Sequence, residues 1–177
     1  MGLGILKTYY SAIQRNYYSI VPLGLLILNW IVQRIFRINA SVPFSVHYTN
    51  KIQGFERIQI GDDKVRTNFA VSGGTFITVF EGTQLKIGAG TIWAYNVCIQ
   101  TGNHKFNSLD EYEVASITIG ENCWLGNGVV LLAGVTLGSN VVVGANAVVT
   151  KSFPSDVVIA GVPAKIIRNI GSSDMPS

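Results

Sequence analysis

From Ile119 to Val149 an aliphatic residue recurs at every sixth position: Ile119, Leu125, Leu131, Leu137, Val143 and Val149. Gly follows at 120, 126, 138 and 144, and only Leu132 and Thr150 break that second column. Six is the period of neither a helix nor a strand. It predicts a stack of short repeated units, each burying its apolar residue against the units above and below. The phase reappears upstream as Ile87-Gly88, Trp93-Ala94 and Ile99-Gln100, and three such sides close one triangular coil. The expected fold class is therefore an all-β solenoid. Between 41 and 86 the pattern loosens to Ile58, Ile60-Gly61, Val65, Val71, Ile77 and Leu85, which predicts irregular early coils. Coil corners need residues that accept positive φ, the role expected of Gly120, Asn122, Gly126, Gly128, Gly138, Asn140, Gly144 and Asn146.

The count of sixes fails across Lys105–Ser116 (KFNSLDEYEVAS) and resumes at Ile117 or Ile119. A polar, acidic stretch inside a solenoid predicts one loop extruded from an edge of the prism, and such loops often carry function. His104 stands where this loop leaves the coil. Positions 1–40 lack the repeat. Ile20–Val32 is an uncharged apolar run, shorter than the ~20 residues that a straight membrane span needs. Basic residues follow the run and no small-x-small site does, which disfavours a signal peptide. The organisation expected is an N-terminal helical, apolar segment (1–40), a solenoid domain (41–170) and a tail (171–177).

Charge changes the picture only at the N-terminus. The net +3 of the 177-residue chain comes from residues 1–60, where six Lys or Arg face the single acid Glu56. Tyr9, Tyr10, Tyr17, Tyr18 and Trp30 add aromatics suited to a membrane interface. Two readings follow for residues 15–37: peripheral contact with a membrane, or packing over the solenoid end or within an oligomer. No basic aromatic stripe points to nucleic acid. Cys98 and Cys123 fall in solenoid sides, and their phase predicts buried free thiols in a reducing cytosol, without metal spacing or a disulfide framework.

Three segments carry a resemblance to a known family: TGNH (101–104), ITIGENCWLGNGVVLLAGVTLG (117–138) and VVTKSFPSDVVIAGVPAKIIR (148–168). Together they resemble the hexapeptide-repeat acyltransferases, closest to the maltose and galactoside O-acetyltransferases and those of capsule and exopolysaccharide clusters. The resemblance implies a left-handed parallel β-helix, a homotrimer and acetyl-CoA as acyl donor, with no metal. It assigns His104 as the general base that takes a proton from the acceptor hydroxyl; an imidazole, which exchanges protons near neutral pH, suits that task. It places Trp124, Asn127, Gly128, Ala145, Thr150 and Lys151 along the pantetheine and phosphates. Lys165 and Arg168 match a basic pair near the adenosine phosphate, where cations supply counter-charge. Positions 1–50 do not match the family's short helical cap.

One departure bears on the acceptor. The family's sugar-holding Asn, about one coil before the His, is replaced by Gly73 and Gly74 in SGGTFIT. Asp110 and Glu111 (with Glu113) are the candidates left for binding acceptor hydroxyls. His47 has no motif around it and is read as structural. The expected activity is O-acetylation of a sugar or glycan intermediate of surface polysaccharide, in the cytoplasm or on the cytoplasmic membrane face. The alternatives are an N-acetyltransferase of a sugar nucleotide or serine-type acceptor, and a non-catalytic scaffold. A three-His metal enzyme on this solenoid is disfavoured, because the chain has two His in all.

Overall fold

The computed structural model describes residues 20–105 and 107–171. Arg15, the four tyrosines at 9, 10, 17 and 18, and most of the 171–177 tail lie outside the described residues. Short strands form three parallel sheets, one on each side of a triangular coil. The first face stacks Lys51–Gln53, Phe76–Thr78, Cys98–Gln100, Val130–Leu131 and Val148–Val149. The second stacks Ile58–Ile60, Leu85–Ile87, Ile117–Ile119 and Thr136–Leu137. The third stacks Ile92–Trp93, Trp124–Leu125, Val142–Val143 and Val157–Gly161, and is closed by the antiparallel Ala164–Asn169.

In the regular region partners are one coil apart: Trp124 pairs with Val142, Val130 with Val148 and Thr136 with Thr118. The six-residue column is the core, since Ile119, Leu125, Leu131, Leu137, Val143 and Val149 are all at most 1% exposed. Burial of each Leu is worth roughly 1.5–3 kcal/mol against leaving it in water. A second inward column stands two residues earlier in each side, at Cys123, Val129, Val135, Val141 and Ala147. It follows from the strand period of two inside each side of six.

The glycines divide between two roles. Asn122, Gly128, Asn140 and Asn146 hold the positive φ expected of corners. Gly120, Gly126, Gly138 and Gly144 do not; they follow the inward residue where adjacent coils nearly touch. A Cβ on Gly120 would lie 2.5 Å from the Gly138 backbone, and one on Gly138 would collide with Ser155 N. The Gly column therefore reflects coil-to-coil approach and not turn geometry. Cys123 is buried and its thiol is 3.2 Å from the Gly138 carbonyl. Cys98 departs from its expected burial because it precedes inward Ile99 and so points outward, half-buried.

The early coils carry insertions, which widen the spacing of the first-face partners Lys51↔Phe76 and Phe76↔Cys98 beyond that of the regular coils. The larger insertion houses helix α1 (Asp63–Val71), capped by Asp62, whose carboxylate accepts from Val65 N and Gly90 N. A shorter helix, Leu23–Trp30, continues into a π turn at Ile31–Ile35 and lies against this first coil. Among the described residues no helix is long and apolar enough to cross a membrane.

His47 is buried beside this first coil. A Cβ on Gly73 would come within 2.6 Å of its ring, so Gly73 serves the packing of His47. Thr49 N donates to Nδ1 at 3.3 Å, so Nδ1 is the unprotonated nitrogen, and the Thr49 hydroxyl 2.8 Å away donates to it as well while its oxygen accepts from Gly74 N. Burial lowers the His47 pKa from its ordinary 6.5. At high pH the ring is neutral folded or unfolded. As pH falls through about 6.5 the unfolded chain takes the proton first, so the fold loses stability toward the lowered folded value. We expect the melting temperature to hold above pH 7 and fall below pH 6.5, with a shallower fall in His47→Gln measured over the same pH series.

Candidate active site

The insertion that interrupts the repeat is an antiparallel hairpin and not an irregular loop. Its strands are Gly102–Lys105 and Ser108–Val114, with His104 opposite Tyr112. It leaves the corner between the first and second faces and separates the coil partners Cys98 and Val130, which still pair in register across it. Lys105 pairs with Glu111 across the hairpin at 2.6 Å.

Within the hairpin His104 is held from two sides. Its Nδ1 lies 2.6 Å from the Leu109 carbonyl oxygen. A carbonyl can only accept, so Nδ1 carries the hydrogen and the lone pair of the neutral ring is on Nε2. The Tyr112 ring centre lies 4.4 Å from that of the imidazole, and the Phe80 ring centre lies 5.3 Å from that of Tyr112.

His104 lines a cavity of about 320 Å³ together with Gln53, Phe76, Thr78, Phe80, Gln100, Gly102, Asn103 and Tyr112. Gln53, Thr78 and Gln100 stand in register on successive strands of the first face. Aromatic rings and neutral amide or hydroxyl groups thus surround the imidazole, and among the described residues no carboxylate, Lys or Arg lines the space. Asp110 and Glu111, expected near the acceptor, do not line it; Glu111 is spent on Lys105. Gly73 and Gly74 are also absent from its walls. Sequence reading misses Gln53 and Thr78 because the early insertions break the count of sixes. Gln100 is legible as the outward neighbour of Ile99.

The residues matched to the acyl donor lie elsewhere on the prism. Trp124 is 41% exposed and shares a row of the third face with Val142, Val158 and Arg168. Lys165 is two rows over, opposite Ala160. Asn127, Gly128 and Ala145 form the corner between third and first faces, with Asn146 N donating to Asn127 O at 2.8 Å. Thr150 and Lys151 stand apart at the far end of the first face, with Lys151 Nζ 5.7 Å from the Phe153 ring centre. Within one chain, then, His104 and Trp124 lie on opposite sides of the first face. No group of three His, Cys, Asp or Glu that could hold a metal occurs among the described residues.

A family model described as bacterial transferase hexapeptide (six repeats) matches residues 116–151. The galactoside O-acetyltransferase of Escherichia coli (strain K12) is 40% identical over 102 residues, 55% of this chain and 50% of that protein. A protein of the same organism named as a lipopolysaccharide biosynthesis O-acetyl transferase, WbbJ, is 32% identical over 150 residues, 75% of this chain and 74% of its own. Among solved structures, a galactoside acetyltransferase in complex with coenzyme A matches at TM-score 0.51 and 25% identity, covering 88% of this chain and 87% of that one. The chain spans about half the length of several curated relatives that it matches, at 47%, 50% and 52%.

Proposed function

The chain belongs to the hexapeptide-repeat acyltransferases, whose fold is the left-handed parallel β-helix, and from that premise we propose that it moves an acetyl group from acetyl-CoA to a hydroxyl of a sugar or glycan. The observation that carries this reading is the neutral cavity around an imidazole whose Nδ1 is committed to the Leu109 carbonyl. Nε2 of His104 takes the proton of the acceptor hydroxyl as that oxygen attacks the thioester carbonyl. The carbon–sulfur bond then breaks, and the CoA sulfur leaves with a proton returned from His104. Gln53, Thr78, Gln100 and Asn103 offer hydrogen bonds to further hydroxyls, and Phe76, Phe80 and Tyr112 offer apolar surface to the C–H face of a ring.

The cavity also bears on hydroxyl against amine. An amine acceptor is protonated at neutral pH and is best held and deprotonated beside a carboxylate, and none of the described residues lining this space supplies one. The name of the WbbJ relative supports an acceptor in lipopolysaccharide assembly. The acyl donor is placed along Trp124, Asn127, Gly128 and Ala145, with Thr150, Lys151, Lys165 and Arg168 as the polar and cationic groups for its phosphates. Because His104 and Trp124 flank opposite sides of one first face, the working unit is a homotrimer in which one chain supplies the base and its neighbour the donor track.

Transfer from acetyl-CoA should be assayed against neutral sugars, amino sugars, nucleotide sugars and polyprenyl-linked glycans. Products acetylated on oxygen support the reading, whereas transfer confined to amines replaces it with N-acetylation. The Tyr112 ring should matter through the imidazole it touches. We expect Tyr112→Ala to lower kcat about three- to tenfold, the scale of one aromatic contact, with KM for acetyl-CoA unchanged. Tyr112→Phe should restore the rate; equal rates for Ala and the native residue would show that the contact does not hold His104.

A further inference from the structure

The helix at the start of the described chain is inside out. Leu23–Trp30 and the turn Ile31–Ile35 carry one charge, Arg34, yet the side chains they bury most are Leu26 and two amides, Asn29 and Gln33. Asn29 Nδ2 donates to Ser45 Oγ (3.2 Å) and the Ala70 carbonyl (3.0 Å), while its Oδ1 accepts from Tyr48 N (2.9 Å). Gln33 Nε2 donates to the Val42 and Phe44 carbonyls at 2.8 and 2.9 Å, and its Oε1 accepts from Val46 N. The helix is therefore fastened to the first coil by its polar side.

Its apolar side is left in solvent. Ile20 (80% exposed), Leu23 and Ile27 follow helical spacing, and Ile35, Phe36 (68%) and Ile38 extend the surface past the π turn. A helix on a globular domain turns such a stripe inward. Contiguous exposed apolar surface of this kind marks a contact with something apolar. Along residues 20–55 the charge has one sign. No Asp or Glu precedes Glu56, while Arg34 and exposed Arg37 stand at the end of the stripe.

We propose that this face docks on an anionic lipid monolayer, with the helix lying in the plane of the interface and exposed Arg37 among the headgroups, while Arg34 donates to the Ala40 and Val42 carbonyls at 3.1 and 3.4 Å and holds the turn to the first coil. The charge selects lipid over a second copy of the chain. Two copies meeting on this face would bring identical arginines together with no acid to answer them. The reading is independent of the acyl-transfer assignment, because binding is measured without acetyl-CoA or an acceptor.

The test is co-sedimentation of the full-length chain with vesicles of phosphatidylcholine alone or containing phosphatidylglycerol. The native chain should bind the phosphatidylglycerol vesicles, and Leu23→Ser/Ile27→Ser and Arg37→Glu should each weaken that binding by about tenfold or more. All three proteins should keep the same light-scattering mass and far-UV dichroism. Absence of native binding to phosphatidylglycerol vesicles overturns the proposal. So does undiminished binding by both variants, which would move the contact to residues 1–19. A lower oligomeric mass in Leu23→Ser/Ile27→Ser would overturn it as well, since the stripe would then be an interface between copies.

Discussion

Replacing His104 with Ala should lower kcat/KM for acetyl transfer by about 10²–10⁴-fold, the range that a positioned general base contributes. The loss should fall in kcat, with KM for acetyl-CoA unchanged, because none of the groups matched to the donor lines the His104 cavity. The fold should be indifferent. His104 is exposed and its hydrogen bond is to Leu109 O in the same hairpin, away from the buried columns. Equal melting temperatures for the two proteins would separate loss of chemistry from loss of structure. An Ala variant with near-native kcat/KM on the acceptor identified by the panel would remove His104 as base and return the scaffold and N-acetyl readings to contention.

How much of this is legible in the chain depends on regularity. Where coils follow one another without insertion, the spacing of Leu125, Leu131 and Leu137 tells which side chains point inward, and their burial agrees. One side chain per six is too coarse a reading, however. It misses the second inward column at Val129, Val135 and Val141, and it assigns to turns the glycines that let Gly120 and Gly138 pass within contact distance. Position 104 is legible because the count of sixes fails there. The walls of its cavity are not, since Gln53, Thr78 and Gln100 meet through register across strands separated by helix α1 and other inserts. The N-terminal helix shows a deeper limit. Its composition leaves membrane contact and packing against the solenoid both open, and it does not tell that Asn29 and Gln33 face the protein while Leu23 and Ile27 face away. Composition reports how apolar a segment is, and only the packing reports which side it turns.

The other large effect should come from breaking the assembly. The three outer faces of the prism differ in chemistry. The second presents Lys86, Thr118 and Thr136, the outward ring of a surface suited to water. The first presents half-buried Phe76, Cys98, Val130 and Val148 in one register column that begins at exposed Lys51 and runs beside the polar row Gln53, Thr78 and Gln100, and the third presents Ile92, Trp124, Val142 and Val158. Two unlike apolar faces on one body suit a heterologous contact, first face against the neighbour's third, which closes into a ring. That contact would also bring His104, at the edge of one first face, toward Trp124 on the neighbour's third. We therefore expect light scattering to return three copies for the native chain. Val130→Arg, which places a charge at the centre of the first-face column, should shift the mass toward a single copy and lower transfer by about 10³-fold or more, because base and donor would no longer be held together. Its dichroism should stay native, since the Val130 side chain points away from the Leu125–Leu131–Leu137 core. An active single-copy variant would show that one chain completes the site unaided, and the shared-site arrangement would fall.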